Sequence, residues 1–115
     1  MTTYDQGTAP MDNHKTSQAI WKFPLPQGQH PVVAMPIGAQ PVSVAIDPAS
    51  SGEKVAVWAR VWPDARPVLR RFEICGTGHP CPDIDDASVE FLGTVVTTRG
   101  FVWHVFDCGT VTQEI

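Results

Sequence analysis

The residues Cys75, Gly76, Thr77, Gly78, His79, Pro80, Cys81, Pro82 and Asp83 bring two thiols, an imidazole, a hydroxyl and a carboxylate into one short stretch. Such a set serves three kinds of chemistry. Zinc takes thiolate and imidazole ligands, and Cys75, His79 and Cys81 with His104 and Cys108 provide the types, although the spacing lacks a paired Cys-x2-Cys knuckle. A cysteine nucleophile needs an imidazole within hydrogen-bond reach and a third group to orient it; Cys75 or Cys81 with His79 or His104 are the available combinations. An anion is cradled by successive backbone N–H groups, which Gly76, Thr77, Gly78 and His79 can present beside a hydroxyl and an imidazole. Arg60, Arg70, Arg71 or Arg99 would add charge-assisted bonds to a phosphate. The lysine and helix that follow a P-loop are missing. The plain alternative to the cradle is a tight glycine turn in which His79 caps backbone carbonyls.

Two further groupings stand apart from this loop. Trp58, Arg60 and Trp62 alternate along one stretch. If their face meets solvent, they form an indole–guanidinium ladder able to stack a nucleobase or meet a partner protein; if it is core, Arg60 reaches outward along its aliphatic stem. Asp83, Asp85 and Asp86 follow the loop without the spacing of a calcium-binding hand, which reads as a solvated turn. His14 and His30 carry no assigned role.

The elements that must position these groups are short. Residues 1–18 are polar and show neither a helical nor a strand period, as expected of an arm. Residues 19–115 read as the folded domain. Strands are predicted over 20–23, 32–35, 42–46, 53–62, 68–75, 89–97 and 101–107, because apolar residues alternate and proline or glycine breaks each window before a helix can form. Val55, Val57, Ala59 and Val61 share one face of the longest strand; Arg70, Phe72 and Ile74 share a face of its successor, with Arg71 and Glu73 opposite. A three-residue connection with glycine, 98–100, predicts a hairpin, and residues 84–88 a single helical turn. Both faces of 101–107 are apolar, so that strand is expected to be central. The fold class is all-β, a single-domain sandwich or small barrel of about seven antiparallel strands.

Composition narrows the function classes. The chain has 115 residues, a formal charge of -4, 43% hydrophobic and 17% charged residues. An acidic total argues against general binding to nucleic acid or to a membrane surface, both of which need a basic footprint. No apolar run approaches a membrane span and no secretory signal opens the chain, so a cytoplasmic location is expected. Three cysteines cannot all pair within one chain, and free thiols are the expectation.

Trp21-Lys22-Phe23-x-Leu25-Pro26, Met35-Pro36-x-Gly38-Ala39, Val57-Trp58-Ala59, Gly76-Thr77-Gly78-His79-Pro80-x-Pro82-Asp83, Phe91-Leu92-Gly93-Thr94-Val95 and Val102-Trp103-His104-Val105-Phe106 resemble an uncharacterised family of small proteins from tailed bacteriophages and prophages. The resemblance covers about residues 20–107, with the GTGHP and WHVF stretches its most specific marks. It implies a phage setting and no particular activity. Family members do not generally carry thiols at the positions of Cys75 and Cys81, so the resemblance moves weight from the cysteines to Thr77, Gly78, His79 and His104.

These readings together predict a binding protein without cofactor or metal that self-associates, in a phage-infected host cell. Its ligand-binding residues are expected to be Gly76, Thr77, Gly78, His79, His104, Trp58, Arg60 and Arg71, and its ligand a phosphorylated nucleotide signal held at a subunit interface, as in a counter-defence protein. A virion component or an inhibitor of a host protein acting through the N-terminal arm is the alternative. A small nucleotide hydrolase with His79 and His104 as acid and base is the remaining one.

Overall fold

The computed structural model describes residues 17–111. They form seven strands: β1 (Ala19–Pro24), β2 (Val32–Pro36), β3 (Gln40–Ile46), β4 (Val55–Val61), β5 (Pro67–Gly76), β6 (Glu90–Val96) and β7 (Val102–Thr110). A three-stranded sheet runs β1-β4-β3 and a four-stranded sheet β2-β5-β7-β6, with every pair antiparallel. The predicted arm falls almost wholly on residues outside those described. No helix is found among the described residues, so none there is long and apolar enough to cross a membrane.

Alternation explains the layers. In a strand successive side chains point to opposite faces, and β4 turns Val55, Val57, Ala59 and Val61 inward, all buried, while Trp58 and Arg60 face out. Opposite, β5 and β7 supply Phe72 and Val105, both fully buried. Burying a side chain of this size is worth about 1.5–3 kcal/mol, and Met35, Val57, Val61, Phe72 and Val105 are the largest in the core with almost no exposure. Prolines sit where the ladder needs no donor from them: Pro36 and Pro67 face each other at the end of the β2–β5 pair, and Pro41 lies at the bulge of edge strand β3.

The two sheets stay separate, so the sandwich form of the predicted fold is the one adopted. Their edges do meet along β3 and β6. There Gly93 faces β3 so closely that a Cβ on it would stand 2.8 Å from Cγ1 of Val44.

Several details differ from the sequence reading. The stretch 53–62, expected to be the longest strand, shortens to the seven residues of β4, and β5 with ten residues is the longest. Residues 84–88 make successive turns instead of a helical one, closed by Asp86 N–H to Asp83 O (3.1 Å) and Val89 N–H to Asp86 O (3.0 Å). Strand β7 continues to Thr110, past residue 107, through a bulge opposite Arg70 and Phe72. Asp107 holds that bulge, its Oδ1 accepting the Gly109 N–H at 2.9 Å. Both Asp107 oxygens also take a fork of bonds from Arg70, 2.9 Å to Nε and 2.7 Å to Nη2, and Arg70 Nη1 donates to Ala39 O at 3.1 Å. A buried ion pair thus ties β5, β7 and the turn after β2 together from inside.

Candidate functional site

Strand register builds the site. On β5 and β7, Cys75 pairs with His104 and Gly76 with Trp103, and on β6 Thr94 lies opposite His104. His104 therefore stands on the outer face of the four-stranded sheet, in its central strand, with hydroxyls on two sides. Thr77 Oγ1 is 2.7 Å from its Nε2 and Thr94 Oγ1 is 2.9 Å from its Nδ1. A neutral imidazole has one N–H and one acceptor nitrogen, so one threonine accepts while the other donates. A charged ring would donate to both. In either state the ring is fixed in orientation.

Beyond β5 the chain reverses at once. His79 N–H donates to Gly76 O at 3.0 Å, and Gly78 takes φ 85° at the third position of the turn, a backbone shape that costs glycine nothing for want of a Cβ. The His79 imidazole lies back over the strand, its Nδ1 within 3.2 Å of where a Cβ on Gly76 would stand and beside the Trp103 indole. The loop thus forms the tight glycine turn of the plain reading, closed by one backbone donor, and it walls two cavities.

Gly76 and His79 line both of them. The larger, about 380 Å³, opens at the end of the sandwich with an apolar floor of Leu25, Val55, Ile74 and Trp103 and a polar rim of Gln27, Gln29, Glu53 and Lys54. The loop from β1 to β2 forms its mouth by crossing between sheets. Leu25 N–H donates to Val55 O on one sheet (2.9 Å), and Ile74 N–H to Gln29 O on the other (2.9 Å). Glu53 is already engaged at the rim, where its Oε2 accepts the Arg99 N–H at 2.9 Å. The smaller cavity, about 240 Å³, lies on the outer face under the loop and includes Cys75, Thr77, Cys81, Phe91, His104 and Phe106.

The structure gathers Gly76, Thr77, Gly78, His79 and His104, and places the other predicted residues elsewhere. Trp58 and Arg60 are on the outer face of the other sheet; Trp58 is half-buried, and Arg60 donates from Nη2 to Oε1 of Gln40 across β3. Of the aromatic stripe, Arg60 meets solvent while Trp58 and Trp62 are half-buried. Arg71 shares the outer face of the His104 sheet but lies toward its far end, 3.5 Å from Glu73 Oε1. Arg70 points inward to Asp107. The sequence reading did not select Gln27, Gln29, Lys54 or Trp103. The clues were the Pro-Leu-Pro-Gln-Gly run before β2 and a charged pair at the start of β4, whose convergence depends on both sheets.

The three cysteines are free thiols. Burial pushes the Cys75 thiol up, with Cys81 and then Glu73 adding to the shift, and burial likewise pushes Cys108 up against a smaller opposing pull from Arg71. A raised thiol is a poor nucleophile at neutral pH. Asp83 and Asp86 each use an oxygen on their own turns: Asp83 Oδ1 accepts the Asp85 N–H (3.0 Å), and Asp86 Oδ1 accepts from the N–H (2.9 Å) and hydroxyl (2.8 Å) of Ser88. Those bonds hold the Asp86 carboxyl below its ordinary range. Among the described residues no group of three or more His, Cys, Asp or Glu side chains is arranged to hold a metal ion.

A domain of unknown function, DUF7352, matches residues 16–113, nearly the whole chain. The chain belongs to the DUF7352 family. Membership covers all seven strands and both cavities, so the His104 clamp and the cleft lie within the family domain and not on an appended segment. No curated protein matches the chain, and no solved structure does.

Proposed function

We propose that this DUF7352 domain is a binding protein whose ligand is a small molecule seated in the cleft beside the Gly76–His79 turn. The observation that carries the reading is the cleft itself: at about 380 Å³ it has the size, the apolar floor and the few convergent polar groups of small-molecule sites. Lys54 and His79 bring positive or donor groups to its edge, which suits a phosphorylated ligand with a planar part against Trp103. The arginines expected to help are committed elsewhere in the chain, Arg70 to Asp107 and Arg60 to Gln40. A nucleotide would therefore be held by Lys54, His79 and loop donors, with any guanidinium supplied by a second subunit. The double hydroxyl clamp on His104 supports binding over turnover, because both ring nitrogens are already engaged. The phage setting rests on the sequence resemblance alone; a counter-defence role, with sequestration of a nucleotide signal as its form, rests on analogy with small β-rich oligomers that phages carry.

Calorimetric titration with a panel of cyclic dinucleotides and ADP-ribose derivatives tests this. Binding is expected for at least one member and is weakened by His79→Ala and by Lys54→Ala. Flat titrations across the panel overturn the nucleotide reading. A second reading, an interaction protein, is favoured by the exposed apolar side chains Phe91 and Val96, which β6 turns to the outer face of its sheet. Light scattering that gives a monomer at all concentrations would remove self-association from either reading.

A further inference from the structure

Cys75 and Cys81 line one cavity, in a place that ligand binding in the cleft does not use. The turn closed by His79 N–H and Gly76 O reverses the chain, and Cys81 returns over the outer face onto which Cys75 projects. Both side chains line the cavity of about 240 Å³ there, with His104, Phe91 and Phe106 around them. Their accessibility is unequal, since Cys81 is exposed and Cys75 is buried. Cys108 is half-buried at the β7 bulge and does not line this cavity.

We infer that Cys75 and Cys81 are a dithiol pair that peroxide converts to a reversible disulfide, making this loop an oxidative modification site. The thiolate of the exposed Cys81 attacks one oxygen of hydrogen peroxide; the O–O bond breaks, a sulfenic acid forms, and the departing hydroxide takes a proton to leave as water. The Cys75 sulfur then attacks the sulfenic sulfur as it gives up its proton, the S–S bond forms, the S–O bond breaks, and the hydroxyl leaves with that proton as a second water. Two thiols and one peroxide become one disulfide and two waters. Exposure sets the order: peroxide reaches Cys81 first, and Cys75, whose thiol burial keeps protonated, acts only once a partner sulfur is activated beside it. A dithiol reductant returns both thiols by exchange. The bond closes a ring around the Gly76–His79 turn and so fixes the wall that the outer cavity shares with the cleft.

The test is mass spectrometry of the folded full chain after hydrogen peroxide. Tryptic cleavage after Arg71 and Arg99 places Cys75 and Cys81 in one peptide and Cys108 in another. The first peptide is expected to lose two hydrogens and to resist alkylation until dithiothreitol is added, while Cys108 stays alkylatable. Cys108→Ser is expected to leave this unchanged, and Cys81→Ser to leave Cys75 as a thiol. A link between the two peptides, a dimer joined through Cys81, or Cys81 driven to sulfinic acid while Cys75 remains alkylatable would each overturn the assignment.

Discussion

The β5–β7 pair carries a polar anchor on each of its faces, and the two are built to opposite rules. Inside, Arg70 and Asp107 form a forked ion pair with side chains 17% and 5% exposed, and the neighbouring groups Ala39 O and Gly109 N–H take up further bonding capacity. Outside, His104 is held between the hydroxyls of Thr77 and Thr94, with solvent and a cavity next to it. A buried charge without its partner is severely penalised, so the inner anchor is rigid and intolerant. Neutral hydrogen bonds near water exchange for bonds to water at small net cost. The outer anchor can therefore be adjusted, and it is the one placed beside the cavities. One strand pair supports both because its alternate residues face opposite ways.

The sharpest way to break this comparison is Asp107→Ala, which strands the Arg70 guanidinium and frees the Gly109 N–H. Unfolding in urea should show a loss of about 3–5 kcal/mol, and a loss near that of an exposed salt bridge would mean that the inner anchor is not what it is taken to be. Next in size is Gly93→Ala. Its Cβ would press on Val44, and overpacking of this kind costs about 1–3 kcal/mol; adding Val44→Ala should recover much of that, whereas Thr94→Ala, one residue along on the outer face, should not need any such relief.

Smaller again is the outer anchor itself. Thr94→Val removes one hydroxyl from His104 and should cost about 0.5–1.5 kcal/mol in the same urea assay, with the His104 ring signals in NMR shifting because the clamp is half open. A cost equal to that of Asp107→Ala would erase the distinction between the faces.

The smallest effect concerns the other sheet, where Lys22 Nζ donates to Asp47 Oδ1 at 2.8 Å and the Ala49 N–H adds a second bond at 2.9 Å. The Lys22 bond first, then that from Ala49, hold the Asp47 carboxyl below its ordinary range. Because the folded value is the lower one, this carboxylate stabilises the fold above the ordinary aspartate pKa of about 4, and the contribution is lost as pH falls below it. Melting temperatures followed down the acid limb should fall less steeply in Lys22→Met than in the parent chain; parallel curves would show that Lys22 is not the cause.

Much of the fold was legible in the amino-acid order because a strand's period of two is written in neighbouring residues. Val55, Val57, Ala59 and Val61 declare an inner face by their spacing alone, as do Phe72 and Ile74. The misreadings came where a side chain competes with the backbone. Asp83 and Asp86 look like the start of a helix, the role that short acids serve at helix N-termini, yet here they bond N–H groups two residues on and close turns. The last strand, predicted to end at residue 107, runs on to Thr110. Asp107 captures the Gly109 N–H and carries the strand through a bulge.

Within the site, the Gly76–His79 turn and the use of His104 could be argued from residue types. Thr94 as the partner of His104 could not, because the β6–β7 register shifts between Phe91 and Gly93, and a shift of one residue exchanges the faces. The arginines illustrate the same limit: all are visible in the chain, but Arg70 turns to the core and Arg60 to the far sheet.

The sequence by itself determined seven alternating segments, their breaks at proline and glycine, and a loop rich in reactive groups, since each of these depends on residues adjacent along the chain. Only the tertiary structure decided that the cysteines of that loop share a cavity, that two threonines from different elements grip one histidine, and that a crossing loop and the start of β4 make a cleft. Those relations join residues far apart in sequence, and they exist only once the register of each strand pair and the packing of the two sheets are set.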